Sequence, residues 1–153
     1  MKTVVLYDSV FGNTEKLALF IADAIGAAPM RITDNDADRL DAGLLIIGSP
    51  TRAFRPTPAV TAWIKKLPAK KLTGISAAAF DTRIDINTID SKFLKKMAGR
   101  FGYASGYIQK LLLKKGVKLA APPEGFYVTA NEGPLAEGEL KRAANWALTL
   151  ADL

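Results

Sequence analysis

Short apolar runs alternate along this chain with longer segments in which apolar residues recur at helical spacing. The runs at residues 2–7 and 43–48 are continuous and end in turn residues, as expected for strands that are covered on both faces. Shorter runs at residues 28–32, 75–80 and 117–121 have the same character. The pattern therefore predicts five strands.

Helical spacing marks the segments between these runs. It is clearest near the carboxyl end, where apolar residues recur at i, i+3, i+4, i+7, i+8 and i+11: Leu140, Ala143, Ala144, Ala147, Leu148 and Ala151. A similar stripe predicts a first helix over residues 13–25. The pair Thr57-Pro58 predicts the start of a second helix, and Ser91 and Ser105 are expected to cap two more.

Strands that alternate with helices predict an α/β domain, with a doubly wound five-stranded parallel sheet and helices on both faces. The 153 residues are expected to form a single domain, 1–153. Pro29 lacks a backbone N–H, so the second strand is expected near a sheet edge. If the strand order is 2-1-3-4-5, the loops at 8–14, 49–57 and 81–90 line one crevice at the carboxyl ends of adjacent strands.

The loop after the first strand has the composition of an anion site. It reads Tyr7-Asp8-Ser9-Val10-Phe11-Gly12-Asn13-Thr14 and leads into the first helix. Backbone N–H groups and the positive end of a helix dipole converge at such a turn, and Ser9, Asn13 and Thr14 could add side-chain donors. The alternative is an ordinary strand-to-helix turn that Asn13 or Thr14 caps.

Three other classes of phosphate-handling protein do not fit this sequence. A nucleoside triphosphate site needs a Gly-Lys-Ser/Thr motif, which the chain lacks. A response regulator needs an aspartate at the end of the third strand, where Gly48-Ser49-Pro50 stands instead. A small tyrosine phosphatase needs a cysteine, and the chain has none. The expected ligand is therefore a phosphate monoester on a larger body.

Residues 5–14, together with Ala18, resemble the phosphate loop of the flavodoxins, which are small FMN-binding electron carriers. The resemblance extends over nearly the whole chain and implies the flavodoxin-like strand order 2-1-3-4-5, with FMN in the crevice. Residues 49–54 resemble the second flavin loop of that family, and residues 81–83 the third. The implied cofactor-binding residues are Ser9, Val10, Phe11, Gly12, Asn13, Thr14, Ser49, Pro50, Thr51, Arg52, Ala53, Phe54, Asp81, Thr82 and Arg83.

The chain also departs from the family pattern. Flavodoxins usually place a Trp or Tyr against each face of the flavin ring, whereas the second loop here offers only Phe54, which could instead serve loop packing. Arg52, Arg55 and Arg83 are unusual beside a ring that becomes anionic on reduction. They either solvate the surface or raise the redox potential by stabilising the reduced ring.

Composition excludes several kinds of chemistry. The chain has no Cys and no His, which removes disulfides, thiolate nucleophiles, and the commonest general base and metal ligand. No apolar run approaches the roughly 20 residues of a membrane span. The first residues predict a strand rather than a signal peptide. We expect a cytoplasmic monomer that does not bind membranes.

Positive charge is concentrated between residues 65 and 118. Lys and Arg number 21 against 15 Asp and Glu, a net charge of +6. Residues 65–118 alone hold 13 basic and 3 acidic residues. This excess indicates either solvated helix faces or a surface that docks an acidic partner. No nucleic-acid-binding signature accompanies it, so nucleic acid is not expected as a partner.

The resemblance implies an FMN-binding flavodoxin that carries electrons at low potential between redox proteins with acidic docking faces. Such a carrier needs no catalytic residue, because the flavin supplies the chemistry. Two alternatives remain open. One is a small FMN-dependent NAD(P)H or quinone reductase, and the other is a flavin-free interaction module on the same fold.

Overall fold

One parallel sheet forms the centre of the molecule in the computed structural model, which describes residues 2–152. Its strands are β1 (Thr3–Tyr7), β2 (Ala28–Arg31), β3 (Leu44–Pro50), β4 (Ser76–Ile84), β5 (Lys118–Leu119) and β6 (Glu124–Val128). They lie in the order β2-β1-β3-β4, and β5 and β6 both pair with the outer side of β4. The predicted order 2-1-3-4-5 is confirmed, with two short strands in the fifth position.

Residues 2–152 contain five α-helices: α1 (Asn13–Ile25), α2 (Pro58–Lys66), α3 (Lys92–Phe101), α4 (Ala104–Lys114) and α5 (Glu139–Ala151). Apolar side chains of α1 and α5 pack on one face of the sheet, and those of α2 and α4 pack on the other. Two buried cores result, as the continuous apolar runs of β1 and β3 predict. Helices on both faces are therefore confirmed.

The fifth strand differs from its prediction. The apolar run suggested one strand over residues 117–121, but pairing stops after Leu119 and resumes at Glu124. Pro122 and Pro123 lie in the gap, where proline cannot donate a backbone hydrogen bond to the sheet. The second segment, β6, runs beside the carboxyl half of β4.

This pairing lengthens β4 and corrects the third predicted loop. Asp81, Thr82 and Arg83 were expected to open a long connection, but they are paired in β4 with Gly125, Phe126 and Tyr127. The connection begins only after Ile84. Asp81 and Arg83 thus stand two residues apart on one face of a strand, which fixes the direction of both side chains.

Ser105 was expected to cap α4, but the helix already begins at Ala104. The backbone N–H of Ser105 instead donates to the Asp81 carboxylate at 2.9 Å. A buried anion from β4 thus takes the place of a local capping side chain and stabilises the positive end of the helix.

The centre of the sheet depends on a close contact between β3 and β4. Gly48 lies directly against the ring of Phe80, and any side chain at position 48 would overlap that ring. Phe80 in turn packs edge-on against Phe126 and Trp146, with ring centroids 6.0–6.1 Å away. The small residue at position 48 therefore lets the core aromatic ring reach the strand beside it.

Among residues 2–152, no helix has the length and apolar character needed to cross a membrane. The same residues contain no group of three or more acidic side chains positioned to hold a metal ion.

Candidate functional site

The first loop ends in a turn that points backbone N–H groups toward one region. Gly12 precedes α1 with φ of 96°, a left-handed conformation that side chains disfavour. Within residues 2–152, no protein group accepts a hydrogen bond from the backbone N–H of Val10, Phe11, Asn13 or Thr14. Four free donors at the positive end of a helix form a site suited to an anion.

Side chains of the same loop are tied to their surroundings. The Ser9 hydroxyl accepts hydrogen bonds from the N–H groups of Gly12 and Glu15, at 3.0 and 3.3 Å. The hydroxyls of Thr14 and Thr82 are hydrogen-bonded at 2.9 Å, which links α1 to β4. Asn13 donates to the carbonyl oxygen of Glu132 at 3.1 Å. These contacts hold the loop in place.

An ion network lies behind the loop, and sequence reasoning missed it. Arg31 is the last residue of β2, paired with Tyr7, and donates to the Asp8 carboxylate at 3.1 Å and to that of Glu15 at 3.3 Å. The Tyr7 hydroxyl also donates to Glu15, at 2.8 Å. Burial and this hydrogen bond raise the pKa of Tyr7. Arg31 thus supplies a positive charge beside two carboxylates at the anion loop.

The second loop contains a tight hairpin. Arg52 and Arg55 exchange two backbone hydrogen bonds of 2.8 and 3.0 Å. The two residues between them, Ala53 and Phe54, have φ values of 49° and 67°, as in a type I′ turn. Such turns favour Asn and Gly, so the alanine and phenylalanine found here are strained.

The three segments enclose one pocket of about 270 Å³ at the carboxyl ends of β1, β3 and β4. Twelve of the predicted residues line it: Ser9, Val10, Phe11, Asn13, Thr14, Pro50, Thr51, Arg52, Ala53, Phe54, Thr82 and Arg83. The structure thus brings most of the predicted set together around one space. Its volume lies near the lower end of the range for small-molecule sites, roughly 300–1,000 Å³.

Gly12, Ser49 and Asp81 stand outside the pocket lining. Gly12 adopts the left-handed backbone conformation that turns the chain from the first loop into α1. Ser49 is buried, where its hydroxyl accepts from the Thr57 N–H at 3.0 Å and so holds the second loop to the start of α2. Asp81 is also buried and faces Arg83 and α4. These residues position the pocket walls.

Arg83 forms one wall as part of a buried ion pair. Its guanidinium makes two hydrogen bonds of 2.7 Å with the Asp81 carboxylate. It lies flat between the Tyr103 ring, 3.7 Å from the ring centroid, and the backbone of Gly125. Burial opposes its charge, but the hydrogen bonds to Asp81 outweigh that effect and raise the pKa of Arg83. Its charge is therefore largely balanced within the protein.

The remaining wall is mainly apolar. It is formed by Ile84, Ile86, Ile89, Leu94, Tyr103, Val128 and Asn131. The sequence suggests two roles for the three isoleucines: shielding the edge of a flavin ring, or packing the connection between β4 and α3. Tyr103, Leu94, Val128 and Asn131 were missed, because only the packing of α3, α4 and β6 brings them here. Tyr103 gives the pocket a third aromatic side chain besides Phe11 and Phe54 of the first two loops.

Solved structures with the same arrangement cover nearly all of this chain. A flavodoxin from the domain Archaea matches 99% of the chain and 97% of its own length, with a TM-score of 0.75 and 19% identity. Oxidised flavodoxin 1 from Bacillus cereus matches 99% and 98%, also with a TM-score of 0.75, at 18% identity. The chain has the flavodoxin fold.

The flavodoxin fold also occurs inside longer proteins. Rubredoxin oxygen:oxidoreductase from Desulfovibrio gigas matches 99% of this chain over only 35% of its own length, with a TM-score of 0.72 and 21% identity. No protein-family model and no curated protein sequence matches the chain. At these identities the structural likeness extends to the fold, and the chemistry must be argued from the chain's own residues.

Proposed function

We propose that this protein binds FMN and carries electrons between redox proteins. The proposal rests on one observation: a group of free backbone N–H donors and an apolar space lie side by side in one pocket. Four unpaired N–H groups lie at the start of α1, and an apolar space bounded by Phe54 and Tyr103 adjoins them. A phosphate monoester fits the first feature and a flat ring system fits the second.

Different segments of the pocket would bind different parts of FMN. The backbone of residues 10–14 would hold the FMN phosphate. The second loop and the stretch from Thr82 to Ile89 would enclose the ring and exclude water from its apolar edge. When bound, the flavin accepts and releases electrons. Arg83 and Asp81 would set the electrostatic surroundings of the ring as a nearly neutral pair.

A carrier fits the pocket better than a reductase. The cavity that joins the two loops and the end of β4 is small for a single ligand, at about 270 Å³. A reductase must also bind a dinucleotide or a quinone. Electron transfer needs no general acid or base, which suits a chain without His or Cys. The flavodoxins among its structural neighbours support the same choice.

An FMN titration tests the proposal directly. The flavin-free protein is titrated with FMN and with riboflavin, which has the same ring without the phosphate, while flavin fluorescence is followed. We expect FMN to bind at least 100-fold more tightly than riboflavin. Equal affinities would refute a phosphate role for the first loop. No binding of either flavin would favour the interaction module.

A second measurement separates the carrier from the reductase. NADH or NADPH is mixed anaerobically with the FMN-loaded protein, and flavin absorbance is followed. A carrier should reduce slowly without a reductase. Rapid reduction by either nucleotide would favour the enzyme.

A further inference from the structure

Most of the basic residues between Arg52 and Lys118 fall into two groups that the fold separates. One group lies at the end of the sheet opposite the pocket, where α2 and α4 end and β4 and β5 begin: Lys65, Lys66, Lys70, Lys71, Lys114, Lys115 and Lys118. The other group lies on the two segments beside the pocket, the second loop and α3: Arg52, Arg55, Lys92, Lys95, Lys96 and Arg100. We call these the far-end group and the mouth group.

Contacts join α3 to the pocket mouth. Leu94 of α3 lines the pocket itself. The ring of Phe101, at the end of α3, lies 6.2 Å from the ring of Phe54 in the strained turn. These contacts place α3, which carries Lys92, Lys95, Lys96 and Arg100, beside the second loop at the pocket entrance.

Large apolar side chains are exposed among these cations. Phe93 is 67% exposed, Phe101 51%, Val10 50% and Phe11 45%. The guanidinium of Arg52 lies over the Phe11 ring at 5.4 Å. Exposed aromatic residues next to arginines are typical of protein–protein interfaces, where such residues supply most of the binding energy.

The charge of this surface selects the kind of partner. Its six cations outnumber the three carboxylates of the adjoining segments, those of Asp85, Asp90 and Glu132, so these segments carry an excess of positive charge. Arg83 adds little, because it is paired with Asp81. Electrostatic attraction would speed the approach of an acidic partner protein to the entrance and stabilise its complex there.

A membrane fits this surface less well than a protein. α3 has only ten residues, and its Ala98 is buried against the domain. Phe93 and Phe101 are thus the only apolar side chains of α3 that are strongly exposed. A helix that lies in a bilayer interface needs a broad free apolar face, which α3 uses to pack against its own domain.

We infer that the mouth group and its exposed phenylalanines dock an acidic electron-transfer protein over the pocket, and that the far-end group does not take part. This inference rests on the proposed function. In the docked complex one electron passes between the flavin in the pocket and the haem or iron–sulfur centre of the partner, so that one is oxidised as the other is reduced.

Two charge-matched variants test this inference. The mouth variant carries Lys95→Glu, Lys96→Glu and Arg100→Glu, and the far-end variant carries Lys66→Glu, Lys70→Glu and Lys114→Glu. Each reverses three charges and has the same net charge. None of these side chains lines the pocket. The probes are two haem proteins of opposite charge, the acidic haem domain of cytochrome b5 and basic cytochrome c.

Binding is measured first with flavin-free protein, by NMR titration with the cytochrome b5 domain at low ionic strength. We expect shifts at the pocket mouth, at least tenfold weaker binding by the mouth variant, and less than threefold weakening by the far-end variant. Phe93→Ala, which keeps every charge, should also weaken binding severalfold. Electron transfer from the reduced FMN-loaded protein to cytochrome b5 should follow the same order and slow as salt increases.

Several results would overturn the inference. Equal losses in the two charge variants would mean that net charge alone attracts the probe. Equal binding of cytochrome c would exclude selection for an acidic partner. Capture of the protein by phosphatidylserine vesicles, lost in the mouth variant, would assign the surface to a membrane. Because NMR binding needs no flavin, a failure of FMN binding is detected separately.

Discussion

The guanidinium of Arg31 lies 3.1 Å from the carboxylate of Asp8, and the same nitrogen also donates to the carbonyl oxygen of Ser9 at 3.2 Å. Asp8 places a negative charge at the edge of the proposed phosphate loop. Arg31 balances that charge and ties the loop to β2. The proposed site therefore depends on a residue that does not line the pocket.

Replacing Arg31 by methionine should weaken FMN binding about tenfold, which corresponds to about 1.4 kcal/mol. The reason is that Asp8 would then repel the phosphate without compensation. Fluorescence titration with FMN measures the change. Adding Asp8→Asn to the same variant should restore most of the affinity, since it removes the repulsion itself.

Arg39 provides the control for this pair. It also forms an ion pair, with Asp36, but its side chain is 88% exposed and outside the pocket. Arg39→Met should leave FMN affinity unchanged, as exposed pairs of this kind contribute little. If Arg39→Met weakened binding as much as Arg31→Met, the effect would reflect net charge.

The Asp81–Arg83 pair makes two opposite predictions for the redox potential of bound FMN. Arg83→Met leaves the buried Asp81 carboxylate unbalanced and should lower the potential, by on the order of 50 mV for a tenfold change in the one-electron equilibrium. Asp81→Asn leaves Arg83 unbalanced and should raise the potential. Spectroelectrochemical titration measures both.

The double variant, Asp81→Asn with Arg83→Met, should return the potential close to that of the original protein. Shifts of the same sign in both single variants would show that loosened packing, rather than charge, sets the potential. Breaking a buried pair also costs about 3 kcal/mol of stability, so each variant needs an unfolding measurement beside its titration.

Sequence periodicity predicted the strands of the sheet and the first two loops, because those features depend on local pattern. The strand order was implied only by the resemblance to the flavodoxins. The end of β4 was not predicted, because the apolar run stops at Phe80 while pairing with β6 continues to Ile84. Had the strand been extended, alternation alone would have placed Asp81 and Arg83 on the same face.

Arg31 and Tyr103 could not be found in that way. Arg31 reaches the first loop only because β2 is paired with β1 so that Arg31 stands opposite Tyr7. Tyr103 reaches the pocket only because α4 begins beside Arg83. Strand pairing places Arg31 and helix packing places Tyr103. Neither contact can be recognised from the residues around these positions in the sequence.

The turn at Ala53 and Phe54 stores strain that a glycine should relieve. Ala53→Gly should stabilise the protein by about 1 kcal/mol, because a left-handed backbone costs an ordinary residue about 1–2 kcal/mol and costs glycine little. Urea unfolding measures the change. As a matched control, Ala62→Gly on the exposed side of α2 should destabilise by about 1 kcal/mol. Destabilisation by both substitutions would contradict a strained turn.

Gly48 should tolerate no side chain. Gly48→Ala would force its methyl group into the ring of Phe80, which is fully buried, and should cost about 3 kcal/mol. Thermal or urea unfolding tests this. Gly99→Ala is the control, since it lies in α3 with open space around it and should stabilise by up to about 1 kcal/mol. A stability loss below about 0.5 kcal/mol for Gly48→Ala would disprove the close contact.

Glu139 should make part of the stability depend on pH. It is buried and accepts hydrogen bonds from Arg142 and from the Tyr127 N–H. Burial acts against its charge, but these bonds prevail and lower the pKa of Glu139 below 4.5. Its contribution is therefore present above pH 4.5 and is lost as the pH falls through the lowered pKa.

Glu139→Gln should cost about 2 kcal/mol at pH 7, and the difference from the original protein should shrink below pH 4. Urea unfolding at several pH values measures it. Glu137→Gln, at an exposed site in the preceding loop, should change stability by less than about 0.5 kcal/mol. A cost for Glu139→Gln that stays constant with pH would exclude the ionised carboxylate as its source.

Both outer margins of the sheet are interrupted by proline. Pro29 lies within β2 at one margin, and Pro122 and Pro123 divide β5 from β6 at the other. Each margin offers only two to five residues of paired backbone, with donors missing where another chain would attach. Two copies of this domain should therefore resist joining strand to strand, and crowding at high concentration should not readily convert the sheet into a growing fibril.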